Sequence, residues 1–325
     1  MKGVSVRYIS EDAVRELLSI EEALTLIDRI YRDHGDGRAF LSHPSALQLK
    51  AAGTPSFFRV KGAYVASLGA AGFRLQGLGA SSPKGLCYLC DPQTSLPFAI
   101  VDETWQYAMR SGLTAAVAAR YLARSNSERV AIFGAGALAP YALIGLKRFF
   151  PLRTVRVYSK RKESRVRFSK EMERTLAIEV IAADSPKEAT AASDIIVTVT
   201  TADEPLVRAE DLRSGALVCA MGRAQEVDSN GLDWAVKFVV DDLNFCLVSG
   251  NVWAWIKKGF KSEEEIRSRI WSEIGDIVAR KKPGREKGTE NILAVIQGMA
   301  SCDIGLSKYV FDKAVEKGIG TLWEL

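Results

Sequence analysis

No stretch of this sequence reaches the roughly 20 apolar residues that a membrane-spanning helix requires. It also begins without the basic, apolar, small-residue order of a secretory signal, and a cytoplasmic protein is the expectation. Cysteine is scarce: the count of five is odd, which fits reduced thiols better than a disulfide framework. The one C-x-x-C, Cys87 and Cys90, falls in the strand-like run 85–90, where residues three apart point to opposite faces; no metal or redox site is expected there or elsewhere. The excess of positive charge is small, +5, and its lysines and arginines are scattered apart from clusters at Lys160-Arg161-Lys162 and Arg280-Lys281-Lys282. Without a basic face interleaved with aromatics, nucleic acid is not an expected partner.

What the sequence does contain is a core. At 47% hydrophobic and 26% charged residues the chain lies far from disorder, and 325 residues favour two lobes over one. Apolar spacing predicts a helix over 10–34, capped by Ser10 with Glu11 and Asp12 at its positive end. From Ser56 to Val101 the pattern becomes short apolar runs broken by Gly and Pro. Turn signals at 82–85 and 91–94 bracket one strand, and Phe98 to Val101 make the next. A first α+β lobe follows from this. The Ala-rich segment 111–123 reads as a helix leading into a strand, helix, strand alternation from Val130 onward, which predicts a parallel sheet covered by helices. The stretch 291–318 has helical spacing, is expected to add no strand, and is read as folding back on the first lobe.

The second lobe opens with Gly134-Ala135-Gly136-Ala137-Leu138-Ala139, a G-x-G-x-x-A pattern between a strand and a helix. In that setting the first Gly makes the tight turn, the second lets backbone approach a pyrophosphate, and the small Ala139 lets helix and strand pack closely. At the end of the next strand an acid would bond the ribose 2′-hydroxyl of NAD. Tyr158-Ser159-Lys160-Arg161 stands there instead, with Arg165 one turn further on, so NADPH is the expected cofactor in preference to NADH. The bland alternatives are a ligand-free Gly/Ala turn and a solvated basic helix start; the helix dipole disfavours the latter. Thr198, Thr200 and Met221 close later strands and are expected to face the same crevice, although a threonine run also forms strand in its own right.

Three motifs in this order, 98–102, 110–124 and the glycine turn, resemble the ornithine cyclodeaminase/mu-crystallin family, as do 226–228, 282–285 and 300–320. The resemblance spans nearly the whole chain. It implies an α/β fold: a Rossmann doubly wound parallel sheet over 113–296, plus an α+β substrate-binding and dimerisation domain over 1–112 with 297–325. It also implies a homodimer and a small imino or amino acid substrate that exchanges hydride with a nicotinamide. Residue by residue it gives Arg110 the substrate carboxylate, puts Ser82 near nicotinamide and substrate, and puts Ser111 beside the cofactor phosphates.

Three positions depart from the family pattern. Arg74 stands where the family usually carries a catalytic lysine, and a guanidinium is a poor proton donor although it can bind a carboxylate. Ala224 stands where cyclodeaminases commonly have an Asp. His43-Pro44-Ser45 lies near the place of a first substrate arginine. These losses weigh against ornithine cyclodeamination, which must shuttle protons at the amine, and favour reduction of a preformed imine or ketimine, or an amino acid dehydrogenase-like reaction. An extra guanidinium at Arg74 or Arg223 would suit a dicarboxylic imine. His43 is a candidate proton donor against an ordinary surface or packed histidine. Glu226 is a candidate substitute for the missing Asp, against a structural role shared with Asp228, and His34 is read as complementing a helix dipole. The remaining alternatives are an ornithine cyclodeaminase and a non-catalytic NADP(H) or small-ligand binding protein.

Overall fold

The structure, a computed structural model, describes residues 4–50, 52–54, 56–78 and 84–324. Ser82 lies outside them. The chain divides into two compact units: the residues up to Arg110 together with those from Met299 onward, and Ser111–Gly298.

The first unit is built on a sheet whose strands follow the order Thr321–Glu324, Ser5–Ile9, Pro97–Asp102, Gly85–Cys90, Ala70–Leu78, Phe57–Val65 and Ala39–Leu41, with Leu47–Lys50 also paired to Phe57–Val65. All neighbours run antiparallel except Ser5–Ile9 beside Pro97–Asp102. Alternation along the strands gives the sheet two different faces. Lys61, Ala63 and Val65, then Ala70, Arg74 and Gln76, then Cys87 and Leu89 are buried on one of them. The helix Ala300–Lys317 packs on these strands. It inserts Ile304, Leu306, Val310 and Ala314, and each large apolar side chain so buried contributes about 1.5–3 kcal/mol. Gly318 at φ +68° ends that helix in the left-handed conformation. The opposite face carries Phe58, Tyr64 and Phe73 in exposed positions. Phe73 stacks on Tyr88 at 4.9 Å and Tyr64 on Phe40 at 6.3 Å.

The single helix expected over 10–34 is two, Glu11–Leu17 and Ile20–Gly35. Ser10 caps the first as anticipated. Ser19 caps the second through a full capping box with Glu22, and this internal start signal outweighs the continuous apolar spacing. Cys87 and Cys90 lie on opposite faces of their strand, the first buried and the second half-buried.

In the second unit eight parallel strands take the order Glu179–Ala182, Thr154–Tyr158, Arg129–Phe133, Ile195–Thr198, Leu217–Ala220, Ile292–Val295, Lys237–Val240, Ile270–Glu273. Four central strands are buried along their whole length, Ile195–Thr198, Leu217–Ala220, Lys237–Val240 and Ile292–Val295, as befits a sheet covered on both faces. Phe133, Ile196, Val218, Phe238, Trp255 and Leu293 meet in its core.

Ile292–Val295 corrects the expectation that 291–318 adds no strand. It pairs with Leu217–Ala220 on one side and Lys237–Val240 on the other. A four-residue apolar run buried on both faces shows neither a period of two nor one of 3.6, so its sequence matches either element. Gly298 at φ +87° then separates it from the helix that follows. Among the described residues no helix is long and apolar enough to cross a membrane.

Candidate functional site

The parallel sheet reverses direction of growth at Arg129–Phe133. Thr154–Tyr158 and Glu179–Ala182 are laid down to one side, and Ile195–Thr198 and Leu217–Ala220 to the other. Such a switch point opens a crevice at the carboxyl ends of the strands, where ligands of open α/β sheets bind. The glycine turn sits at this point, and its two glycines are required for different reasons. Gly134 adopts φ +108°, and a Cβ there would come within 2.8 Å of the Val199 carbonyl and 3.2 Å of Thr200 Cγ2. Its amide donates to the Tyr158 carbonyl at 2.8 Å. A Cβ on Gly136 would meet no protein atom within 4 Å, so what this glycine leaves open is open to a ligand.

Ala135 and Leu138 are half-buried and Ala137 exposed around Gly136, while Ala139 is fully buried under the helix it opens. That helix, Ala139–Phe149, has no side-chain N-cap; its Ala139 amide donates to the Gly136 carbonyl at 3.2 Å, and Pro140 brings no N–H to its first turn. Gly112 serves a third purpose: a Cβ on it would collide with the Leu138 carbonyl, so its absence lets the helix Thr104–Leu122 approach the glycine turn. Ser111, next to it, is buried. The tight turn at Gly134 and the open space at Gly136, where backbone is bare, together fit a dinucleotide pyrophosphate.

At the end of Thr154–Tyr158 the cationic residues divide into two groups. Lys160 and Arg161 are exposed, and Ser159 Oγ donates to the Arg161 carbonyl at 3.1 Å. Arg161 is the N-cap residue of Lys162–Leu176 and makes no side-chain cap bond. Arg165 instead turns inward. It donates to the Ser159 carbonyl at 3.1 Å and to Asp184 Oδ1 at 2.8 Å, and lies over the Tyr158 ring. Its place is beneath the loop, holding Ser159, while Lys160 and Arg161 present charge above it.

Glu226 ties the later strand ends together. Oε2 accepts from the Thr198 hydroxyl and from the Gly222 amide, both at 2.6 Å, and Oε1 accepts from the Thr200 amide at 2.5 Å. A Cβ on Gly222 would collide with this carboxylate. Burial pushes the Glu226 carboxyl up, opposed by these donors. Asn251 Oδ1 in turn accepts from the amides of Glu226 and Val227 at 2.8 and 3.0 Å. Of the crevice residues expected from sequence, Thr198 therefore spends its hydroxyl on Glu226 and is fully buried. Thr200 and Met221 are half-buried, and Thr200 Oγ1 accepts from the Ala202 amide. Asp228 accepts from Ala209 and Gly231 amides, a bracing role like that of Glu226. Sequence reasoning missed Asn251 and Gln297, whose Nε2 donates to the Gly222 carbonyl at 3.3 Å; no spacing marks either one.

The first unit holds a layer of buried charge between its sheet and Ala300–Lys317. Arg110 donates from Nε to Asp303 Oδ1 at 2.6 Å and from Nη2 to Oδ2 at 3.1 Å. Arg74 donates to Glu103 Oε1, from Nε at 2.8 Å and from Nη2 at 2.5 Å, and its Nη1 lies 3.6 Å from Asp303 Oδ2. The Tyr107 ring lies against both guanidiniums, 4.6 Å from Arg74 and 5.0 Å from Arg110. Local sequence explains the arrangement. Strand alternation turns Arg74 inward, Gly85 leaves the room Glu103 occupies, and Asp303 falls in the first turn of its helix, where the dipole favours a carboxylate.

All four charged groups are at most 3% exposed. Burial pushes the Glu103 carboxyl up to about 7 against the pull of Arg74, and pushes the Cys87 thiol well above its usual range. Taking four charges out of water costs several kcal/mol per ion on the order of the effective desolvation penalty. A neutral apolar layer would be cheaper, which makes these four paired charges a candidate for function.

Of the remaining sequence-predicted residues, His43 in the first unit is exposed and makes none of the ion pairs of the charged layer; in the second unit Arg223 is exposed and Ala224 half-buried. His34 corrects the expectation that it complements a helix dipole. Its Nε2 lies 2.6 Å from Ser301 Oγ, and burial lowers its pKa to about 4, so the ring is neutral near pH 7 and serves as a hydrogen-bonding partner.

Comparison with known proteins agrees with this architecture. The family model described as the ornithine cyclodeaminase/mu-crystallin family matches residues 57–318. An alanine dehydrogenase from Archaeoglobus fulgidus is 29% identical, with 96% of each chain covered. A Delta(1)-pyrroline-2-carboxylate reductase from Bacillus thuringiensis subsp. konkukian is 31% identical, with 75% of each covered. Among solved structures, the Thermococcus litoralis Delta(1)-pyrroline-2-carboxylate reductase in complex with NADH and L-proline is similar at a TM-score of 0.89 and 29% identity, over 97% of this chain and 99% of that one. An archaeal alanine dehydrogenase dimer with bound NAD matches at 0.89 and 27% identity, over 99% of both chains.

Proposed function

Because the chain belongs to the ornithine cyclodeaminase/mu-crystallin family, we propose that it is an NAD(P)H-dependent oxidoreductase acting on the C–N bond of an α-imino or α-amino acid, in the manner of an imine or ketimine reductase. The observation that carries this reading is the buried pair of arginines, Arg74 and Arg110, held in one layer by Glu103 and Asp303. Planar, permanently charged guanidiniums are suited to a carboxylate, and Arg110 is the one assigned to the substrate. When bound, the reduced nicotinamide supplies hydride. The protein orients the imino acid, keeps water away and provides one proton.

The cofactor site comprises Gly134, Ala135, Gly136, Ala137 and Leu138 at the pyrophosphate, with Ser111 beside the phosphates and Thr200 and Met221 along the crevice. Thr198 acts through Glu226. NADPH is preferred over NADH because Ser159, Lys160 and Arg161 stand at an uncapped helix start where no acid is present to repel a 2′-phosphate. Arg165 supports that loop from below. Ornithine cyclodeamination is disfavoured. Arg74 stays charged, and Glu226 cannot replace the acid missing at Ala224 because both its oxygens are committed to Thr198, Thr200 and Gly222. The exposed aromatic face of the first unit suits a homodimer, which sedimentation velocity tests, and five free thiols suit a reducing, cytoplasmic setting.

Fluorescence titration with NADPH and NADH, followed by assay of the reduced cofactor with Δ1-pyrroline-2-carboxylate and acyclic imino acids, tests the proposal. Oxidation of NADPH with an imine supports it. Tight binding without turnover over the panel would make the chain a binding protein, and proline plus ammonia from ornithine would make it a cyclodeaminase.

A further inference from the structure

The charged layer contains one more cation than the two arginines the proposed function uses. Lys61 lies on Phe57–Val65 directly opposite Arg74 on Ala70–Leu78, and Arg74 is directly opposite Cys87 on the next strand. Directly opposed residues of antiparallel strands project to the same face, with Cβ atoms about 4.5–5.5 Å apart. Lys61, Arg74 and Cys87 therefore form a row across three strands on the face covered by Ala300–Lys317. Lys61 is only 4% exposed, an unusual depth for a lysine.

From this row we infer that Lys61 is the proton donor of the site, a reading that rests on the proposed imine reduction. Its neighbours are poorly suited to the task. Arg74 and Arg110 do not release a proton at ordinary pH. Asp303 is held by Arg110; Glu103, although burial pushes its carboxyl up to about 7, accepts from Arg74 on Oε1 and from the Cys87 thiol on Oε2. The Cys87 thiol is held protonated by its burial. An ammonium carries three exchangeable protons on a flexible stem, and Lys61 projects from the position registered against Arg74. In the step it serves, a bound reduced nicotinamide would supply the hydride to the imine carbon, and the C=N π pair would become the nitrogen lone pair that Lys61 protonates. One N–H bond of Lys61 breaks as one N–H bond of the product amine forms. Lys61 is left neutral and regains its proton from solvent.

The test uses the full chain in three forms. Lys61→Arg keeps the charge at this register and removes the transferable proton. It is expected to lower kcat at least about 100-fold, the lower range of general acid contributions, with KM and the cofactor titration changed less than about threefold. The exchange variant Lys61→Arg/Arg74→Lys puts an ammonium at the registered neighbour and should recover at least about tenfold of that loss. Lys50→Arg, the same exchange at an exposed strand position, should retain kcat within about threefold. Unchanged kcat in Lys61→Arg would overturn the inference.

A readout that needs no cofactor separates this outcome from failure of the function itself. Glyoxylate with cyanoborohydride should leave a mass label on Lys61 of the wild-type chain, because an α-keto acid fixed by its carboxylate presents its carbonyl to the donor. Labelling elsewhere but not at Lys61 refutes the inference even if no imine is turned over.

Discussion

Arg110 and Asp303 form a two-point ion pair, Nε to Oδ1 at 2.6 Å and Nη2 to Oδ2 at 3.1 Å, with neither side chain more than 2% exposed. Removing one partner leaves the other as an uncompensated charge in the interior. Asp303→Asn is expected to destabilise the fold by about 3–5 kcal/mol, whereas the apolar pair Arg110→Met/Asp303→Leu should cost much less or nothing. Urea unfolding of the three forms, wild type and the two variants, with the slope held constant, measures both. A double variant as unstable as Asp303→Asn would show that packing, not charge compensation, accounts for the loss.

The two crevice glycines should fail in opposite ways. At Gly134 the positive φ and the nearby Val199 carbonyl make any side chain a structural fault, so Gly134→Ala should lower stability by about 1–3 kcal/mol. At Gly136 the protein leaves open space, so Gly136→Val should leave the melting temperature nearly unchanged. Nicotinamide affinity should drop at least about 100-fold, or about 2.7 kcal/mol. Calorimetry and fluorescence titration on both variants decide it. A Gly136→Val chain that still binds NADPH tightly would remove the pyrophosphate from this turn.

This difference between the glycines also marks where the sequence stops being legible. The Gly134 to Ala139 pattern was readable because a turn, a backbone approach and a close helix contact each demand a small residue at a fixed offset. The parallel sheet was readable from its β-branched runs, except at Ile292–Val295, which is too short and too evenly apolar to reveal a period. Ser19 was overlooked because a continuous apolar stripe conceals an internal cap. The charged layer was legible only as isolated residues. Arg74 and Arg110 were singled out, but their partners Glu103 and Asp303 came from a strand end and from a helix nearly 200 positions further along (|i−j| = 193 for Arg110 and Asp303). Spacing carries no trace of contacts closed by the tertiary fold. Lys61 was passed over for the same reason, since its neighbour is set by register between strands.

His34 gives the fold an acid limit. Its pKa falls from 6.5 to about 4 because burial beside Ser301 disfavours the charged ring, with Asp33 opposing. Above pH 6.5 the ring is neutral in both folded and unfolded chains, and it contributes its full stability. As pH falls from 6.5 towards 4 the unfolded chain takes up the proton first, and stability is lost, by up to about 3 kcal/mol on the scale of 1.36 kcal/mol per unit. His34→Gln keeps a group able to reach Ser301 and has no proton to gain. The difference in unfolding free energy between wild type and His34→Gln should therefore shrink in wild type's disfavour across this window and be constant above it. A pH-independent difference would place the acid sensitivity elsewhere.

The proposed cofactor preference should be separable into charge and shape. Lys160 and Arg161 are exposed at the start of Lys162–Leu176, so the contribution proposed for them to NADPH binding would be electrostatic and open to screening, while the turn at Gly134–Gly136 would act on NADPH and NADH alike. Replacing Lys160 and Arg161 together by Ala should weaken NADPH binding about 10–100-fold, as expected for loss of one charged hydrogen-bond partner, and leave NADH within about twofold. Raising salt should narrow the wild-type preference and leave the double variant flat, since only the wild type has a phosphate-facing charge to screen. Equal loss of both nucleotides would mean that these side chains support the loop as Arg165 does, through the Ser159 carbonyl, and that the preference for a 2′-phosphate comes from the helix amides alone.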